Sequence, residues 1–334
     1  MRPTKTISIV APIVIALSLT IIVLAQRNRP TAFSPPPEVQ SEAFSVSSGS
    51  PITTTGVHPA DVMGTGSGPV IACENLGLIC TDVFSKTYDD IKGLSYGFDF
   101  STGGLPPFQF SVSNGSRGSP GTAVRVEADC SPAEPEADVF ETSLDGSNEQ
   151  DLDGDGVACG SNSGFGLNLA EGSNGDNLDE IDRDPCLFVD PNCDGVLDEP
   201  IYVTLAPGSP TLVAISATSA DIIMTSGDVE PHIWASGMTD LGLQSGDVID
   251  ALCVKESGNG MYDSEDFVLF SLAPGSPSLS AWSASAADVL APKNNFRYPA
   301  SALGLQATDD IDGLVCAQDV VLLKLYLPII ARNS

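Results

Sequence analysis

One short phrase, Leu-Ala-Pro-Gly-Ser-Pro, occurs twice in this chain, at residues 205–210 and again at 272–277. Leu-Gly-Leu-Gln also occurs twice, at 241–244 and at 303–306. Self-similarity at a roughly fixed period is the sequence signature of a repeat architecture, in which each unit is one supersecondary element. We therefore interpret most of the chain as copies of one unit, which is clearest over residues 241–290.

The unit has a recognisable order of phrases. It reads Ala-Asp-aliphatic, a loop, an apolar stretch ending in Leu-Gly-Leu, an Asp-containing turn, a phrase similar to Ile-Asp-Ala-Leu, a second loop, and Phe-Ser-Leu-Ala-Pro-Gly-Ser-Pro. Four units start near Ala60, Ala137, Ala220 and Ala287. The last unit is short, so we expect its Phe-Ser-Leu counterpart around Val320–Leu325.

Short runs of β-branched and aromatic residues indicate strands. Such runs, bounded by Pro, Gly and Ser, occupy 108–113, 201–206 and 267–273. The 32 Gly and 25 Pro suit many turns, and no periodic apolar run of helical length follows residue 30. With about four strands per unit, the sequence predicts an all-β, four-unit repeat domain with a propeller-like closure. A β-sandwich is the alternative.

The two ends of the chain differ from the repeats. Residues 1–25 combine a short basic start with a long apolar run, which predicts a signal peptide cleaved after Ala25 or, alternatively, an uncleaved anchor. Residues 26–58 are rich in Pro, Ser and Thr and predict a disordered spacer. The repeat β domain is then expected over 59–325, and a C-terminal tail over 326–334.

The charge of the chain is strongly negative. Lys and Arg number 14 against 44 Asp and Glu, giving a net charge of −30. This balance argues against a nucleic-acid partner, because phosphate binding needs clustered basic residues. Within the second unit, residues 127–199 form an acidic insertion with 21 Asp or Glu and one basic residue, Arg183. The acidic balance of the chain points to cations, to a basic partner or to a well-solvated secreted surface, and the density in the insertion is more than solubility alone would need.

The insertion contains a run with the spacing of a calcium loop. Asp151, Asp153 and Asp155 alternate, Gly156 follows for a sharp turn, and the Val157 carbonyl is placed to add an oxygen. The run lacks the bidentate Glu that ends an EF-hand loop, so we expect weak Ca²⁺ affinity, with a dissociation constant of about 10⁻⁴–10⁻³ M. A turn-rich acidic loop without an ion is the alternative.

A second run has the same pattern and is also incomplete. Its predicted ligands are Asp190, Asn192, Asp194, the Val196 carbonyl and Asp198.

Other acidic residues fall on the repeat's own Asp turn. We expect these to hydrogen-bond the backbone rather than a metal. They are Asp176, Asp179, Asp247, Asp250, Asp309 and Asp312.

Several of these motifs resemble known families. The run 151–159 resembles the calcium motif of the Excalibur domain of bacterial extracellular proteins, and Cys130 resembles that domain's first cysteine. The run 190–199 is similar to the calcium loops of thrombospondin type 3 repeats and dockerins. The four-unit pattern is similar to a repeat in uncharacterised secreted bacterial proteins, and residues 325–334 resemble an ending found on some bacterial exported proteins. These resemblances imply export and calcium binding but no activity.

Eight cysteines in an exported chain indicate disulfides rather than a redox site. Proximity and the family likeness favour one pairing, with zinc as an alternative that no CxxC pair supports. The favoured pairs are 73–80, 130–159, 186–193 and 253–316.

The sequence offers little for catalysis. The two histidines are His58 and His232, and no G-x-S-x-G elbow is present. We therefore expect a protein that is not an enzyme: an exported calcium-binding structural or adhesive protein of the cell surface, whose acidic loops are ordered by Ca²⁺. It would contact the membrane only through the signal or anchor segment. A module that binds surface carbohydrate or protein is the alternative, and a hydrolase is the third reading.

Overall fold

The computed structural model describes residues 43–66, 68–80, 89–95, 108–157, 159, 165–183, 200–226, 229–295 and 297–315. The chain divides into two units, Met1–Ala32 and Phe33–Ser334, and every described residue belongs to the second. The predicted signal segment and C-terminal tail lie outside the described residues. Within the described ranges, no helix has the length and apolar character needed to cross a membrane.

The described residues form four β-sheets, which confirms the all-β prediction. In order of pairing, sheet I contains β17 (Ile311–Val315), β1 (Ala43–Val46), β2 (Val62–Gly64) and β3 (Gly68–Ile71). Sheet II contains β4 (Ile91–Ser95), β5 (Phe108–Val112), β6 (Val139–Thr142), β7 (Glu149–Asp153) and β8 (Phe165–Gly166). Sheet III contains β9 (Leu178–Arg183), β10 (Ile201–Leu205), β11 (Ile222–Ser226) and β12 (Val229–Ala235). Sheet IV contains β13 (Ile249–Lys255), β14 (Phe267–Leu272), β15 (Val289–Leu290) and β16 (Arg297–Tyr298).

The helices are short and lie in the connections between strands. The α-helices are α1 (Ala123–Ala128), α2 (Pro210–Ala214), α3 (Pro277–Trp282) and α4 (Ala300–Leu303). Single 3₁₀ turns cover Pro51–Thr55, Cys73–Leu76, Pro135–Ala137 and Pro292–Asn294, and a π turn covers Gly237–Leu241. α2 and α3 begin at the last Pro of the Pro-Gly-Ser-Pro phrases, because proline suits the first helical position, where no N–H is needed.

Each sheet is assembled from the predicted phrases in a fixed order. In sheet IV, the Ile-Asp-Ala-Leu phrase forms β13, the Phe-Ser-Leu phrase forms β14, and the strand after the Ala-Asp phrase is β15. The runs 108–113, 201–206 and 267–273 form β5, β10 and β14 as predicted. A repeat unit counted from its Ala-Asp phrase therefore begins in one sheet and ends in the next.

The predicted disordered spacer is wrong over residues 43–58. Strand β1 lies between β17 and β2, with Phe44 paired to Leu314, and Phe44 is fully buried. The apolar surface that β1 buries offsets the conformational entropy that the segment loses when it becomes ordered. β1 pairs with β17 as β14 pairs with β13, so the Phe-Ser-Val of β1 takes the place of the Phe-Ser-Leu phrase in sheet I. The counterpart expected around 320–325 lies outside the described residues.

The Leu-Gly-Leu phrases have one backbone conformation. Their central residues Gly77, Gly242 and Gly304 have φ angles of 73°, 79° and 85° and end short helical turns. In the second unit the same place is taken by Asn168, with φ 58°. Asn is the non-glycine residue that tolerates this left-handed region best, which is why Leu-Asn-Leu substitutes for Leu-Gly-Leu there.

Four hydrophobic clusters fill the spaces between the sheets. One cluster joins sheets I and II, a second joins sheets II and III, a third joins sheets III and IV, and a fourth joins sheets IV and I. Each sheet therefore buries side chains against two others, which is why its strands are apolar on both faces.

The first strands of the four sheets pack against one another. β4, β9, β13 and β17 are in mutual contact, and we call this region the four-strand junction. The buried carboxylate of Glu180 on β9 accepts hydrogen bonds from one backbone N–H of every junction strand, those of Leu94, Ile181, Leu252 and Leu314. The residues at the register of Glu180 in the other three strands are small: Gly93, Ala251 and Gly313.

Candidate metal centre

The predicted first calcium loop starts on a strand. Asp151 and Asp153 lie on β7, which pairs antiparallel with β6 and parallel with the short β8. The strand ends at Asp153, and Gly156 has φ 78°, which glycine adopts without strain. The directions of the first two acidic side chains are therefore set by a sheet and not by a loop that wraps around an ion.

Asp151 is engaged away from the other predicted ligands. Its Oδ2 accepts a hydrogen bond from Gln109 Nε2 at 2.6 Å and pairs with the guanidinium of Arg183. Asp151 thus links β7 to β5 and β9, and Arg183 balances its charge. Asp155 Oδ1 accepts from the N–H of Val157 at 2.7 Å, and the Val157 side chain is exposed.

Asp153 instead meets two acidic residues that are distant in sequence. One carboxylate oxygen each from Asp138, Asp153 and Glu171 lies within 4.8 Å of the other two. Asp153 is buried, and its Oδ1 accepts from the N–H of Gly156 at 2.5 Å. We call these three residues the acidic triad. The triad gathers residues from β7, from the turn before β6 and from the segment after β8.

Asp138 belongs to the Ala-Asp phrase of the second unit. In the other three units, the Asp precedes the first strand of a hairpin. It accepts one hydrogen bond from the N–H three residues earlier and one from the N–H of a residue just after the second strand of that hairpin. The donors are His58 and Cys73 for Asp61, Thr218 and Gly237 for Asp221, and Ser285 and Ala300 for Asp288.

Asp138 lacks the first of these donors. The residue three positions earlier is Pro135, which has no N–H. Asp138 Oδ1 keeps the second bond, from the N–H of Gly154 at 3.0 Å. Its Oδ2 is buried without an N–H or hydroxyl donor, and the Asp138 carboxyl group shares a hydrogen bond with that of Glu171 when one of the two is protonated. One proline therefore leaves a carboxylate oxygen without a donor in the interior of the triad.

Glu171 supplies a second oxygen of the same kind. Its Oε1 is buried without an N–H or hydroxyl donor and packs against Gly154, where any side chain would collide with it. A buried carboxylate oxygen without a donor is costly, because the water it has lost is not replaced. The triad therefore needs either a proton or a cation.

The directions of the pKa shifts of the three acids agree with the need for a proton or a cation. Burial and the charge of Glu171 raise the pKa of Asp138 well above its ordinary value. Burial raises the pKa of Glu171 to about 8, with the charges of Asp153 and Asp155 acting in the same direction. Burial also raises the pKa of Asp153. Near neutral pH, the triad without a cation would hold a proton between Asp138 and Glu171.

The dimensions suit a hard cation. Calcium takes 6–8 oxygen ligands at about 2.3–2.6 Å, so oxygens on opposite sides of one ion lie about 4.6–5.2 Å apart. The spacing within 4.8 Å in the triad fits around one such ion. Carboxylates, carbonyls and water are the ligands that calcium and magnesium prefer.

Two of the predicted disulfides are confirmed. Cys73 pairs with Cys80 and Cys130 with Cys159, with Cα–Cα distances of 5.8 and 6.3 Å. Cys253 is also in a disulfide. The cysteines at 186, 193 and 316 lie outside the described residues.

Two further groups combine acidic residues with these cysteines. Glu127 and Glu134 lie near the 130–159 disulfide, and Glu74 lies near the 73–80 disulfide. A disulfide sulfur is not a thiolate, and the thiolate is the form of cysteine that binds metal. Among the described residues, the acidic triad is thus the group composed only of oxygen ligands.

The second predicted calcium loop lies outside the described residues. Its predicted ligands are Asp190, Asn192, Asp194, Val196 and Asp198.

The repeat's Asp turns divide into two sets. As predicted, the first Asp of each turn accepts backbone N–H groups: Asp176 from Ala170 and Thr211, Asp247 from Gln244 and Ser278, and Asp309 from Gln306 and Ile52. The later residues lie on junction strands instead of turns, and there the prediction is wrong. These are Asp179, Asp250 and Asp312.

The sequence interpretation missed Asp138 and Glu171 as members of the site. A signal for Asp138 was present, since Pro135 removes a donor that the other three units retain. Glu171 carries no comparable signal, because only the folded chain brings it to Asp138.

No family model, no curated protein and no solved structure matches this chain.

Proposed function

We propose that the protein is an exported, calcium-binding structural or adhesive protein of the cell surface, and that Ca²⁺ bound by Asp138, Asp153 and Glu171 orders its acidic insertion. Asp155 and its neighbouring loop lie beside the triad and supply further oxygens or bound water. The role of the ion is to neutralise the insertion, so that loops too acidic to pack alone become a rigid part of the surface. Surface glycans or proteins are the candidate partners.

One observation carries the proposal: two carboxylate oxygens in the triad, Asp138 Oδ2 and Glu171 Oε1, are buried without donors. A third acid, Asp153, lies within 4.8 Å of both residues. Three carboxylates that serve only the fold would be expected to have donors, as Asp61, Asp221 and Asp288 do.

We further propose that the four sheets are the blades of a four-bladed propeller. The pairwise packing of sheets I to II, II to III, III to IV and IV to I supports this closure, as does the contact among the four first strands. The pairing of β1 with β17 joins the start of the repeat domain to its end. In a sandwich of two sheets, the four clusters would not form such a cycle.

Export is supported by the chemistry of the chain. The apolar run within residues 1–25 reads as a signal peptide or anchor. The two disulfides persist in an oxidising compartment, where small loops can be closed permanently.

The test is calorimetric titration of the protein with Ca²⁺, paired with thermal melts in Ca²⁺ and in chelator. We expect saturable binding with a dissociation constant of about 10⁻⁴–10⁻³ M. At a Ca²⁺ concentration ten times that constant, binding should add about 1.4 kcal/mol of stability. The double variant Asp153→Asn, Glu171→Gln should lose this ion while keeping its β-sheet circular dichroism.

Two control variants distinguish the triad from other acidic residues. Glu149→Gln changes an exposed residue on the same strand and should leave Ca²⁺ binding unchanged. Asp151→Asn should also leave it unchanged, because Asp151 is held by Arg183 and Gln109. Loss of binding in Asp151→Asn, with retention in the single variant Glu171→Gln, would favour the loop of Asp151, Asp153 and Asp155 over the triad. Absence of any heat at millimolar Ca²⁺ would refute the proposal.

A further inference from the structure

Three of the four sheets hold the turn after their second strand with one set of three hydrogen bonds. In sheet IV, the N–H of Ala273 donates to the carbonyl of Val248 at 3.0 Å, and the N–H of Val248 donates to Ser276 Oγ at 3.2 Å. The N–H of Ser278 then donates to Asp247 Oδ1 at 2.9 Å. These bonds fix the Pro-Gly-Ser-Pro turn after β14 to the two residues that precede β13.

The same three bonds recur in sheets III and II. In sheet III they join the turn after β10 to the residues before β9, and in sheet II they join the turn after β5 to the residues before β4. In each of these sheets, the turn that is held follows the next described strand of the chain. The N–H to oxygen pairs are Ala206 to the Asn177 carbonyl, Asn177 to Ser209 and Thr211 to Asp176 in sheet III, and Ser113 to the Asp90 carbonyl, Asp90 to Ser116 and Gly118 to Asp89 in sheet II.

Sheet I makes the same three bonds with a turn from the opposite end of the described chain. The N–H of Ser47 donates to the carbonyl of Asp310 at 3.1 Å, and the N–H of Asp310 donates to Ser50 Oγ at 2.8 Å. The N–H of Ile52 donates to Asp309 Oδ1 at 2.8 Å. Ser50 and Asp310 are 260 residues apart in sequence. Sheet I is therefore closed by a segment that does not follow its first strand.

The sequence of this segment agrees with its position. Residues 44–51 read Phe-Ser-Val-Ser-Ser-Gly-Ser-Pro, and residues 270–277 read Phe-Ser-Leu-Ala-Pro-Gly-Ser-Pro. The two Ser, Phe, Gly and Pro stand at the same five places in both runs. We call residues 43–52 the closing segment. It is the copy of the repeated phrase that belongs to sheet I, and it lies at the start of the described residues.

The closing segment fills a slot that its removal would open. β1 lies between β17 and β2, so without it the edges of both strands that face it would lose their pairing. Ala43 belongs to the cluster between sheets I and II, and Phe44 and Val46 belong to the cluster between sheets IV and I. All three side chains have a relative exposure of at most 1%. The strand slot therefore selects its occupant by backbone pairing, by a pocket for Phe44 and by the bonds to the turn.

The strand slot makes the same contacts whether the closing segment comes from its own chain or from a second copy. Exchange of an identical element between copies is a low-cost route to an oligomer, because each slot regains every contact that it gave up. A second copy is also the partner that carries the matching sequence, Phe-Ser-aliphatic followed by Gly-Ser-Pro. The link that has to swing out is residues 53–61, between the closing segment and β2.

We propose that the closing segment is exchangeable, and that the strand slot of one copy accepts the closing segment of a second copy. A tethered segment has an effective concentration on the order of 1 mM, so a dilute chain closes on itself and a concentrated one exchanges. Reciprocal exchange gives a closed dimer, and exchange with two different neighbours gives a chain of copies. This inference goes beyond the function proposed above and does not depend on the calcium site.

The first experiment measures, by fluorescence anisotropy, the binding of a labelled peptide of residues 42–53 to the full chain. The chain carries Phe44→Asp, which places a charge in the buried pocket and weakens its own closing segment. We expect saturable binding, at least about tenfold tighter than to the native chain, whose own segment occupies the slot. The peptide with Phe44→Asp should not bind. The peptide with Ser50→Ala should bind more weakly, because it lacks the hydroxyl that accepts from Asp310.

Three results would overturn the strand slot: no saturable binding, equal binding of the Phe44→Asp peptide, or equal affinity for the two chains. If the Phe44→Asp chain is unfolded on its own, recovery of its β-sheet circular dichroism on addition of the native peptide supports the slot. No recovery at a saturating peptide concentration contradicts it.

The second experiment tests the partner and uses the native chain in chelator. The chain is held just below its melting temperature at about 1 mM, the scale of the effective concentration of a tethered segment, and is then cooled, diluted and analysed by sedimentation. We expect dimers or longer species that persist after dilution. An excess of the native peptide in the warm step should remove most of them, and the Phe44→Asp peptide should not.

A chain that stays monomeric under these conditions would overturn the exchange between copies. Linked species that the native peptide leaves unchanged would also overturn it, because they would not be joined through the strand slot. Since chelator is present throughout, failure of the proposed calcium function would leave both results unaffected.

Discussion

Replacing Glu180 by glutamine should strongly destabilise the protein without changing its surface. In the native protein, Oε1 accepts from the N–H groups of Leu94 and Ile181, both at 2.8 Å, and Oε2 accepts from Leu252 at 3.0 Å and Leu314 at 3.1 Å. Complete burial raises the pKa of Glu180, while these N–H donors favour its carboxylate form. If Glu180 were protonated, its O–H group would point at backbone N–H groups, which are themselves donors and cannot accept its hydrogen.

The magnitude follows from counting the donors. Glutamine has one carbonyl oxygen, so two of the four N–H groups would face its NH₂ group and lose their acceptor. A hydrogen bond to a charged group contributes about 1.5–3 kcal/mol, and the smaller desolvation cost of an amide offsets part of the loss. We expect Glu180→Gln to reduce the free energy of unfolding by about 3–5 kcal/mol, a large part of the 5–15 kcal/mol that is typical of a domain.

Urea denaturation followed by circular dichroism measures this change. The matched control is Glu230→Gln, an identical substitution at an exposed position on β12, where we expect a change within about 0.5 kcal/mol. If Glu180→Gln were as mild as this control, the carboxylate would not be holding the junction strands together. The reasoning from the four hydrogen bonds would then be refuted.

Three further predictions concern other parts of the fold. Because burial raises the pKa of Glu171 to about 8 and that of Asp310 to about 7, these groups bind protons more tightly in the folded state. The melting temperature in chelator should therefore fall as the pH rises from about 4.5 to 8, and a rise across that window would contradict the pKa directions. Replacing both Cys130 and Cys159 by serine opens a loop with a sequence separation of 29 and should cost about 3–4 kcal/mol, measured by urea denaturation under oxidising conditions. Asp247→Ala removes a hydrogen bond from the N–H of Gln244 and two from Ser278 at the start of α3, and we expect a loss of about 2–4 kcal/mol in the same assay.

The strands were predictable from the sequence because local composition determines them. Phe108–Val112 and Phe267–Leu272 are short, apolar, β-branched or aromatic runs followed by turn residues, and both are strands. Ala43–Val46 has the same pattern within a polar stretch and was assigned to the spacer. Its clue was Gly-Ser-Pro at 49–51, which follows β1 as the same three residues follow β10 and β14.

The candidate metal site was predictable only in part. The alternation of Asp151 and Asp153 is local, but Asp151 is held by Arg183, 32 residues away in sequence. Asp138 and Glu171 join Asp153 only because sheet II and the segment after it fold back on β7. A calcium-loop motif assumes that one loop supplies all ligands. Here the acids that meet come from separate elements, which no local spacing encodes.

The most direct measurement is a crystal structure grown with Ca²⁺, with anomalous difference density calculated at the acidic triad. The account predicts a peak between Asp138, Asp153 and Glu171, with carboxylate oxygens of all three at about 2.3–2.6 Å from the ion. A crystal saturated with Ca²⁺ that shows no peak there, with Asp138 and Glu171 hydrogen-bonded to each other through a shared proton, would contradict it.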